Sequence, residues 1–196
     1  MEKKELRKSM KEILSKLDPV SKAFESCGRC VSFIQSQYFK SAKVIFGFMP
    51  MNDELDILPV LREALNQEKI VLLPRIISGT NKMEFFYIDK DINAETVKGE
   101  FGIYEPSSSC RKADISKICT EYSGCEISLL VPGLAFGKDN SRLGRGKSFY
   151  DSFLSELASK CNEKPVFCGV CYKAQIVDSV PEEKHDVKMD FLIQNI

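Results

Sequence analysis

The chain has 196 residues, of which 43% are hydrophobic and 29% are charged, a composition that excludes a disordered or collagen-like chain. Its 28 Lys and Arg residues balance its 28 Asp and Glu residues, so the formal net charge is zero. The chain therefore lacks the overall positive field that holds nucleic acids or anionic membranes, and we expect neither as a partner.

The N-terminal part of the chain is predicted to form two helices. Apolar residues at helical spacing predict an amphipathic helix over residues 3–17. Asp18 and Pro19 then end this helix and begin another, because aspartate caps a helix and proline suits its first position. The second helix extends to about residue 37 and carries one apolar face. That face comprises Val20, Phe24, Cys27, Val31 and Ile34.

Short apolar runs predict the strands of a buried sheet, at residues 44–48, 70–74, 83–88, 128–131, 166–172 and 191–194. Helices are predicted at 56–67 and 147–159, whereas 89–125 is expected to be irregular surface with at most short helices and 132–146 a long loop. Strands that alternate with helices predict a three-layer α/β fold, in which helices cover both faces of a mostly parallel sheet. We expect a single domain over residues 1–196.

The cysteines bear on the compartment and on possible metal sites. Eight are present, and the chain opens without a hydrophobic segment suited to a signal peptide. We therefore expect a cytoplasmic protein with reduced thiols, since disulfide frameworks are typical of small secreted chains. Cys27 with Cys30 and Cys168 with Cys171 have the Cys-x-x-Cys spacing of zinc sites. We interpret them instead as core or near-core thiols, because one pair falls in a helix and the other in a strand, where residues three apart face opposite sides.

The strongest functional signal is the segment 139–151, which connects a predicted strand to a predicted helix. Open α/β sheets bind ligands at such positions. Gly144 and Gly146 let backbone N–H groups approach a ligand, while Arg142, Arg145 and Lys147 add positive charge near a helix N-terminus. The segment predicts a phosphate site, and a solvated basic turn is the alternative.

Two carboxylates are candidate magnesium ligands. Asp151 falls in the first turn of the predicted helix, and Asp186 lies in a charged tail beside His185. Mg²⁺ prefers one or two carboxylates together with nucleotide phosphates. The alternatives are helix capping for Asp151 and a solvated surface position for Asp186. His185 is the only histidine of the chain, and we leave it out of the catalytic set because a lone histidine in a charged segment is commonly solvated.

These motifs resemble those of the 5-formyltetrahydrofolate cyclo-ligases, also called 5,10-methenyltetrahydrofolate synthetases. The resemblance spans nearly the whole chain and is carried by residues 3–7, 51–55, 73–75, 132–151 and 185–190. It implies an ATP- and Mg²⁺-dependent closure of 5-formyltetrahydrofolate to 5,10-methenyltetrahydrofolate, with release of ADP and phosphate. The expected partners are these small molecules, and the expected oligomeric state is a monomer.

The resemblance also implies roles for individual residues. The implied ATP-binding residues are Lys3, Lys4, Arg7, Arg142, Leu143, Gly144, Arg145, Gly146, Lys147, Ser148, Phe149 and Tyr150. The implied folate-binding residues are Met49, Glu54, Arg145, Gly146, Lys147, Ser148 and Phe149. Arg145 and Lys147 would be the catalytic cations, and Asp151 and Asp186 the Mg²⁺ ligands.

The chain departs from the family pattern inside its most specific motif. Many relatives have Gly-Tyr where this chain has Ser148 and Phe149, and an acidic residue commonly follows the phenylalanine where this chain has Gly137 and Lys138. Two alternative functions therefore stay open. One is a non-catalytic folate- or nucleotide-binding relative, and the other is a different ATP-dependent acyl activation on the same scaffold.

Overall fold

The computed structural model describes residues 2–80, 82–99 and 102–195 and begins with the two helices that the sequence predicts. Helix α1 spans Lys3–Lys16 and helix α2 spans Pro19–Gln35. Asp18 caps α2, since its carboxylate accepts a hydrogen bond of 2.9 Å from the backbone N–H of Ser21. A short helix that the sequence analysis did not separate from α2, α3 at Gln37–Ser41, follows directly.

Six strands form the central sheet. Their bounds are β1 Val44–Phe46, β2 Ile70–Ile76, β3 Met83–Ile88, β6 Ile127–Pro132, β9 Val166–Val170 and β11 Phe191–Leu192. They lie in the order β11-β9-β6-β1-β2-β3. All neighbours are parallel except β3, which runs antiparallel to β2. The predicted mostly parallel sheet is confirmed.

Helices cover both faces of this sheet. Alternate residues of a strand point to opposite faces, so neighbouring residues pack against different helices. Ile45 of β1 packs in a core with residues of α2, α3 and α4, the last of which spans Leu58–Asn66. Its neighbour Phe46 packs in a second core with α6 at Ile115–Glu121 and α7 at Phe149–Lys160. The three-layer prediction is thereby confirmed. No helix within the described ranges is both long and apolar enough to cross a bilayer.

Two stretches predicted to be irregular contain short elements. Residues 89–125 hold α5 at Ile92–Glu95 and a two-stranded sheet of β4 and β5, and 132–146 holds the hairpin of β7 and β8. The bounds are β4 Thr96–Lys98, β5 Tyr104–Pro106, β7 Ala135–Gly137 and β8 Arg142–Leu143, with β10 at Ile176–Val177 pairing beside β7. Strands of two or three residues are too short to display a period-two pattern, which is why the sequence did not indicate them.

The prediction of which face of α2 packs against the core is wrong. The residues that α2 buries are Ser26, Cys30 and Phe33, whereas Phe24 is 83% exposed. Polar contacts accompany this orientation. The Ser26 hydroxyl accepts a hydrogen bond of 3.1 Å from the backbone N–H of Asp56, and the Cys30 thiol donates to the carbonyl of Asp56. Cys27, which was expected in or near the core, is consequently exposed.

The expectation of eight reduced thiols is also corrected. Cys119 of α6 and Cys161, which follows α7, are joined in a disulfide. Helices α6 and α7 are in contact, and the Cα atoms of these cysteines lie 4.5 Å apart, within the range found in disulfides. In contrast, Cys168 and Cys171 are free and buried, in agreement with their predicted place in the core.

Candidate active site

A cavity of about 920 Å³ opens at the carboxyl ends of three neighbouring parallel strands. Phe48 and Met49 line it just after β1, Ile76 lines it at the end of β2, and Pro132 and Gly133 line it at the end of β6. This is the edge at which open α/β sheets bind ligands. The sheet therefore forms the floor. The remaining walls come from α1, from residues 51–54, 103–105 and 142–151, and from the tail 181–186.

The hairpin of β7 and β8 carries the basic segment to this cavity. Asn140 sits at its turn with a φ of +66°, and the Asp139 carboxylate accepts hydrogen bonds from the backbone and the hydroxyl of Ser141. Asparagine and aspartate suit such turns because they tolerate the left-handed region and bond their own backbone. The apolar side of the hairpin packs on Leu6 and Met10 of α1, which places α1 against the segment.

Arg142 is the innermost cation of the segment, with a side chain only 3% exposed. Its Nη2 donates to Asp151 Oδ1 at 2.6 Å, and its Nη1 donates to the carbonyl of Pro132 at 3.4 Å. Asp151 therefore binds Arg142 and does not cap α7, whose N-cap is Ser148. Arg142 Nε is buried without a hydrogen-bond partner among the described residues. Such an atom is commonly satisfied by water or a ligand.

Helix α1 contributes two cations one turn apart. Arg7 Nε donates to the carbonyl oxygen of Gly144 at 2.9 Å. A side chain at Gly146, whose φ is +99°, would begin 3.5 Å from Arg7 Cζ, so the guanidinium lies directly against this turn of the backbone. Lys3 Nζ lies 2.7 Å from Asp186 Oδ2 and 3.3 Å from Glu183 Oε1. The first helix and the tail thus meet across the mouth of the cavity.

The Lys3 and Asp186 pair shifts the pKa of both groups. Burial alone would lower the pKa of Lys3, but the hydrogen bonds and charges of Asp186 and Glu183 outweigh it and raise that pKa. Burial alone would raise the pKa of Asp186, yet the hydrogen bonds from Lys3 and the Glu183 backbone N–H lower it overall. Asp186 is 12% exposed, so it is not the solvated surface residue considered as an alternative.

A second ion pair lies farther along the cavity wall. Arg145 Nη2 donates to Asp53 Oδ1 at 2.6 Å and to Glu54 Oε1 at 3.1 Å. Glu54 Oε2 accepts from the backbone N–H of Met51 at 3.0 Å. The Glu54 side chain is 9% exposed, and burial raises its pKa despite the opposing charge of Arg145. Glu54 is therefore a buried carboxylate held in one orientation by its cation and by the backbone.

Lys147 differs from the other cations of the segment. It is exposed and borders the cavity, and no ion pair or hydrogen bond ties its side chain to the rest of the described chain. The charge of Lys147 is thus available to a ligand without displacing an internal partner. Tyr150 lies nearby at the start of α7, where burial raises the pKa of its hydroxyl and keeps it protonated.

The residues that depart from the family pattern occupy the junction between the segment and α7. Ser148 has a φ of +53°, which lies in the left-handed region that glycine adopts without strain. This geometry explains why glycine suits the position and why serine is strained there. Phe149 borders the cavity with an aromatic ring that carries no hydroxyl.

All of the residues that the sequence associates with ATP, folate or magnesium border this single cavity. The sequence analysis missed part of the wall, which comprises Phe48, Met51, Pro74, Ile76, Met83, Ile103, Tyr104 and Glu105. Phe48 and Met51 flank the end of a predicted strand and could have been found from that position. Ile103 precedes β5 and Tyr104 begins it. The sequence shows no recognisable strand pattern there.

The cavity is lined by two kinds of side chains. Cations of α1 and of the segment 142–147 line it, and backbone N–H groups at the start of α7 add partial positive charge. The apolar side chains of Met49, Met51, Ile76 and Met83 line it as well, together with the buried carboxyl groups of Glu54 and Glu105. Such an arrangement can hold an anionic group against a mostly apolar, partly polar ring system.

Comparisons with known proteins bear on the family of this chain. The sequence profile of the 5-formyltetrahydrofolate cyclo-ligase family matches residues 1–195. The mouse 5-formyltetrahydrofolate cyclo-ligase is 27% identical over 189 residues, which cover 96% of this chain and 91% of the mouse protein. A probable 5-formyltetrahydrofolate cyclo-ligase of Schizosaccharomyces pombe is 28% identical over 201 residues, which cover 98% and 95% of the two chains.

The fold is similar to that of a solved relative. The NMR structure of Aquifex aeolicus 5,10-methenyltetrahydrofolate synthetase matches with a TM-score of 0.76 at 26% identity. The match covers 98% of this chain and 89% of the Aquifex chain.

Proposed function

The chain belongs to the 5-formyltetrahydrofolate cyclo-ligase family, and from this premise we propose that it closes 5-formyltetrahydrofolate to 5,10-methenyltetrahydrofolate with ATP and Mg²⁺. ADP and phosphate are released. The observation that carries the proposal is the cavity itself, which is lined by cations from α1 and from residues 142–147 together with apolar side chains and the buried Glu54. Such cations are suited to the phosphates of ATP.

The reaction requires activation of the formyl oxygen, which is a poor leaving group. In the proposed first step this oxygen attacks the γ-phosphorus of ATP, and the bond to ADP breaks. N10 then attacks the activated formyl carbon and loses its proton, and the phosphate departs with the former formyl oxygen. Phosphoryl transfer depends on positioning and charge stabilisation, so no protein nucleophile is needed.

We assign the phosphates to the cations that line the cavity. Lys3, Lys4 and Arg7 approach from α1, and Arg145 and Lys147 act as the catalytic cations that stabilise the charge of the transferring group. Residues 142–150 hold the nucleotide, with backbone N–H groups at the start of α7 supporting the phosphates. Buried Arg142 positions this segment through Asp151.

We assign the pterin to the part of the cavity that Met49 and Glu54 line. A pterin presents an amino-pyrimidine edge with N–H donors, and a carboxylate is a suitable acceptor for them. Arg145 and the Met51 backbone fix the Glu54 carboxylate in place, which prepares it to bind without reorganising. Arg145 belongs to the cationic segment and also pairs with Glu54, so it can contact both substrates.

Asp151 and Asp186 form a donor set suited to magnesium, because Mg²⁺ takes one or two carboxylates plus substrate phosphates. Both border the cavity, although each also binds a cation of the protein. No larger group of metal-binding side chains occurs among the residues that the structure describes. Bound with ATP, the ion would neutralise phosphate charge.

The test is an absorbance assay for the methenyl product. The purified protein is incubated with 5-formyltetrahydrofolate and ATP, with and without Mg²⁺, and ADP is measured in parallel. We expect product and ADP in equal amounts only when all three are present. Binding of both substrates without turnover would instead identify a non-catalytic relative. Ser148 and Phe149, which depart from the family pattern, would then account for the lost activity. ADP release without methenyl product would indicate a different acyl activation.

A further inference from the structure

Tyr172 follows β9 and is buried in the core that contains residues of α2 and α4, so it does not itself border the cavity. Its hydroxyl nevertheless reaches a residue of the cavity wall, because it donates a hydrogen bond of 3.0 Å to the backbone carbonyl of Glu54. Burial raises the pKa of Tyr172, although a hydrogen bond with Ser26 opposes that shift. The hydroxyl is therefore protonated near neutral pH and can donate.

With Tyr172 included, each polar group of Glu54 has a partner. The carboxylate accepts hydrogen bonds from Arg145 at 3.1 Å and from the backbone N–H of Met51 at 3.0 Å. The backbone N–H of Glu54 donates to the carbonyl of Met51 at 2.9 Å, and the Tyr172 hydroxyl binds the backbone carbonyl. A binding group is held precisely only when the residues that support it are also fixed. Tyr172 supplies this support to the main chain of Glu54.

Tyr172 is in turn held by the residues that follow it. Its backbone N–H donates to Gln175 Oε1 at 2.8 Å, and Gln175, which is 1% exposed, donates through Nε2 to the carbonyl of Gly133 at 2.7 Å. Gly133 borders the cavity just after β6. Through these bonds Tyr172 connects Glu54 to the end of a central strand, so it can transmit the rigidity of the sheet to Glu54.

We propose that Tyr172 is a positioning residue for folate binding, which acts by fixing the backbone of Glu54. The inference rests on the proposed function, in which the Glu54 carboxylate accepts hydrogen bonds from the pterin. Losing this support weakens binding of the substrate and of the transition state alike, which raises KM for folate and leaves kcat unchanged. Arg145 keeps its second partner, Asp53, at 2.6 Å. The residues assigned to ATP therefore stay in place.

Tyr172→Phe tests the proposal, because it removes the hydroxyl and keeps the ring that fills the core. We expect KM for 5-formyltetrahydrofolate to rise about threefold to tenfold, as for one lost hydrogen bond. KM for ATP and kcat should stay at their native values. Tyr38→Phe is the matched control, since Tyr38 is partly buried and stacks on Phe191, but its hydroxyl has no hydrogen-bond partner in the described chain. An unchanged KM for folate, equal rises in both KM values, or equal effects of the two substitutions would overturn the proposal.

Calorimetric titration with 5-formyltetrahydrofolate in the absence of ATP tests the route through Glu54 and does not require turnover. Tyr172→Phe should raise Kd by the same factor as KM. In a Glu54→Ala background it should have little further effect, because the side chain that it positions is absent. Additive effects of the two substitutions would refute the route. A native protein that binds no folate would overturn the proposed function together with this inference, whereas native binding that Tyr172→Phe leaves unchanged would overturn the inference alone.

Discussion

Replacing Arg145 or Lys147 with alanine separates the catalytic role of these cations from their structural role. Both cations border the cavity, and loss of a positioned charge at a phosphoryl site costs about 3 kcal/mol in the transition state, or roughly a hundredfold in turnover. We therefore expect a similar loss of turnover in Arg145→Ala and in Lys147→Ala. Methenyl absorbance at saturating ATP and folate measures it.

The two variants should differ in stability. Arg145→Ala removes the cation of Glu54, whose side chain is 9% exposed, whereas Lys147 has no such partner in the described chain. An exposed pair contributes at most about 1 kcal/mol and breaking a buried pair costs about 3–5 kcal/mol. Arg145 is 30% exposed, so a loss of about 2 kcal/mol is expected. For a chain of this size that lowers the thermal midpoint by about 4–8 °C.

A second substitution checks the cause of the lost stability. Adding Glu54→Gln to Arg145→Ala removes the uncompensated carboxylate, so the thermal midpoint should recover while turnover stays low. Calorimetry on the three variants, measured beside the native protein, gives the comparison. Equal destabilisation by Lys147→Ala would refute the ion-pair argument. Native turnover in both single variants would show that the segment does not serve phosphoryl transfer.

Four further predictions concern other substitutions and the cysteines. Ser148→Gly removes left-handed strain of about 1–2 kcal/mol, partly offset by the entropy of glycine in the unfolded chain, so urea unfolding should show a net gain of up to about 1 kcal/mol. Phe149→Tyr adds one hydrogen bond and should change the steady-state rate only a few-fold; undetectable native activity rescued by both changes would favour a binding protein. Asp186→Asn should destabilise the protein above the ordinary carboxyl pKa of 3.8, with the difference from native vanishing as pH falls through the lowered folded-state pKa, because protonation then removes the same charge. Thiol titration of denatured, unreduced protein should find six of the eight cysteines free, whereas eight would argue against the Cys119–Cys161 bond.

The parts of the fold that follow from local sequence are those with long or strongly apolar patterns. Helix α1 and strands β1, β2 and β6 lie close to their predicted positions because their burial is continuous or strictly periodic. The location of the cavity could also be predicted, since glycines and cations after β6 fall at the edge where parallel strands end. The residues associated with ATP and folate indeed meet there.

The remaining features depend on contacts between distant residues. Helix α2 has apolar residues on both faces, and the buried face carries Ser26 and Cys30, which bond the backbone of the distant Asp56. No periodicity could reveal that choice. The pairing of Glu54 with Arg145 joins residues 91 positions apart, and the contact of Lys3 with Asp186 joins residues 183 positions apart. Such pairs become visible only once the sheet has fixed the geometry.

The contact between Lys3 and Asp186 has a consequence for the folding rate. These residues are 183 positions apart, so the wall of the cavity is closed by a highly non-local contact. Such contacts slow folding, because the entropy of closing a long loop must be overcome before they form. We therefore expect the mouth of the cavity to be among the last parts of the fold to become ordered.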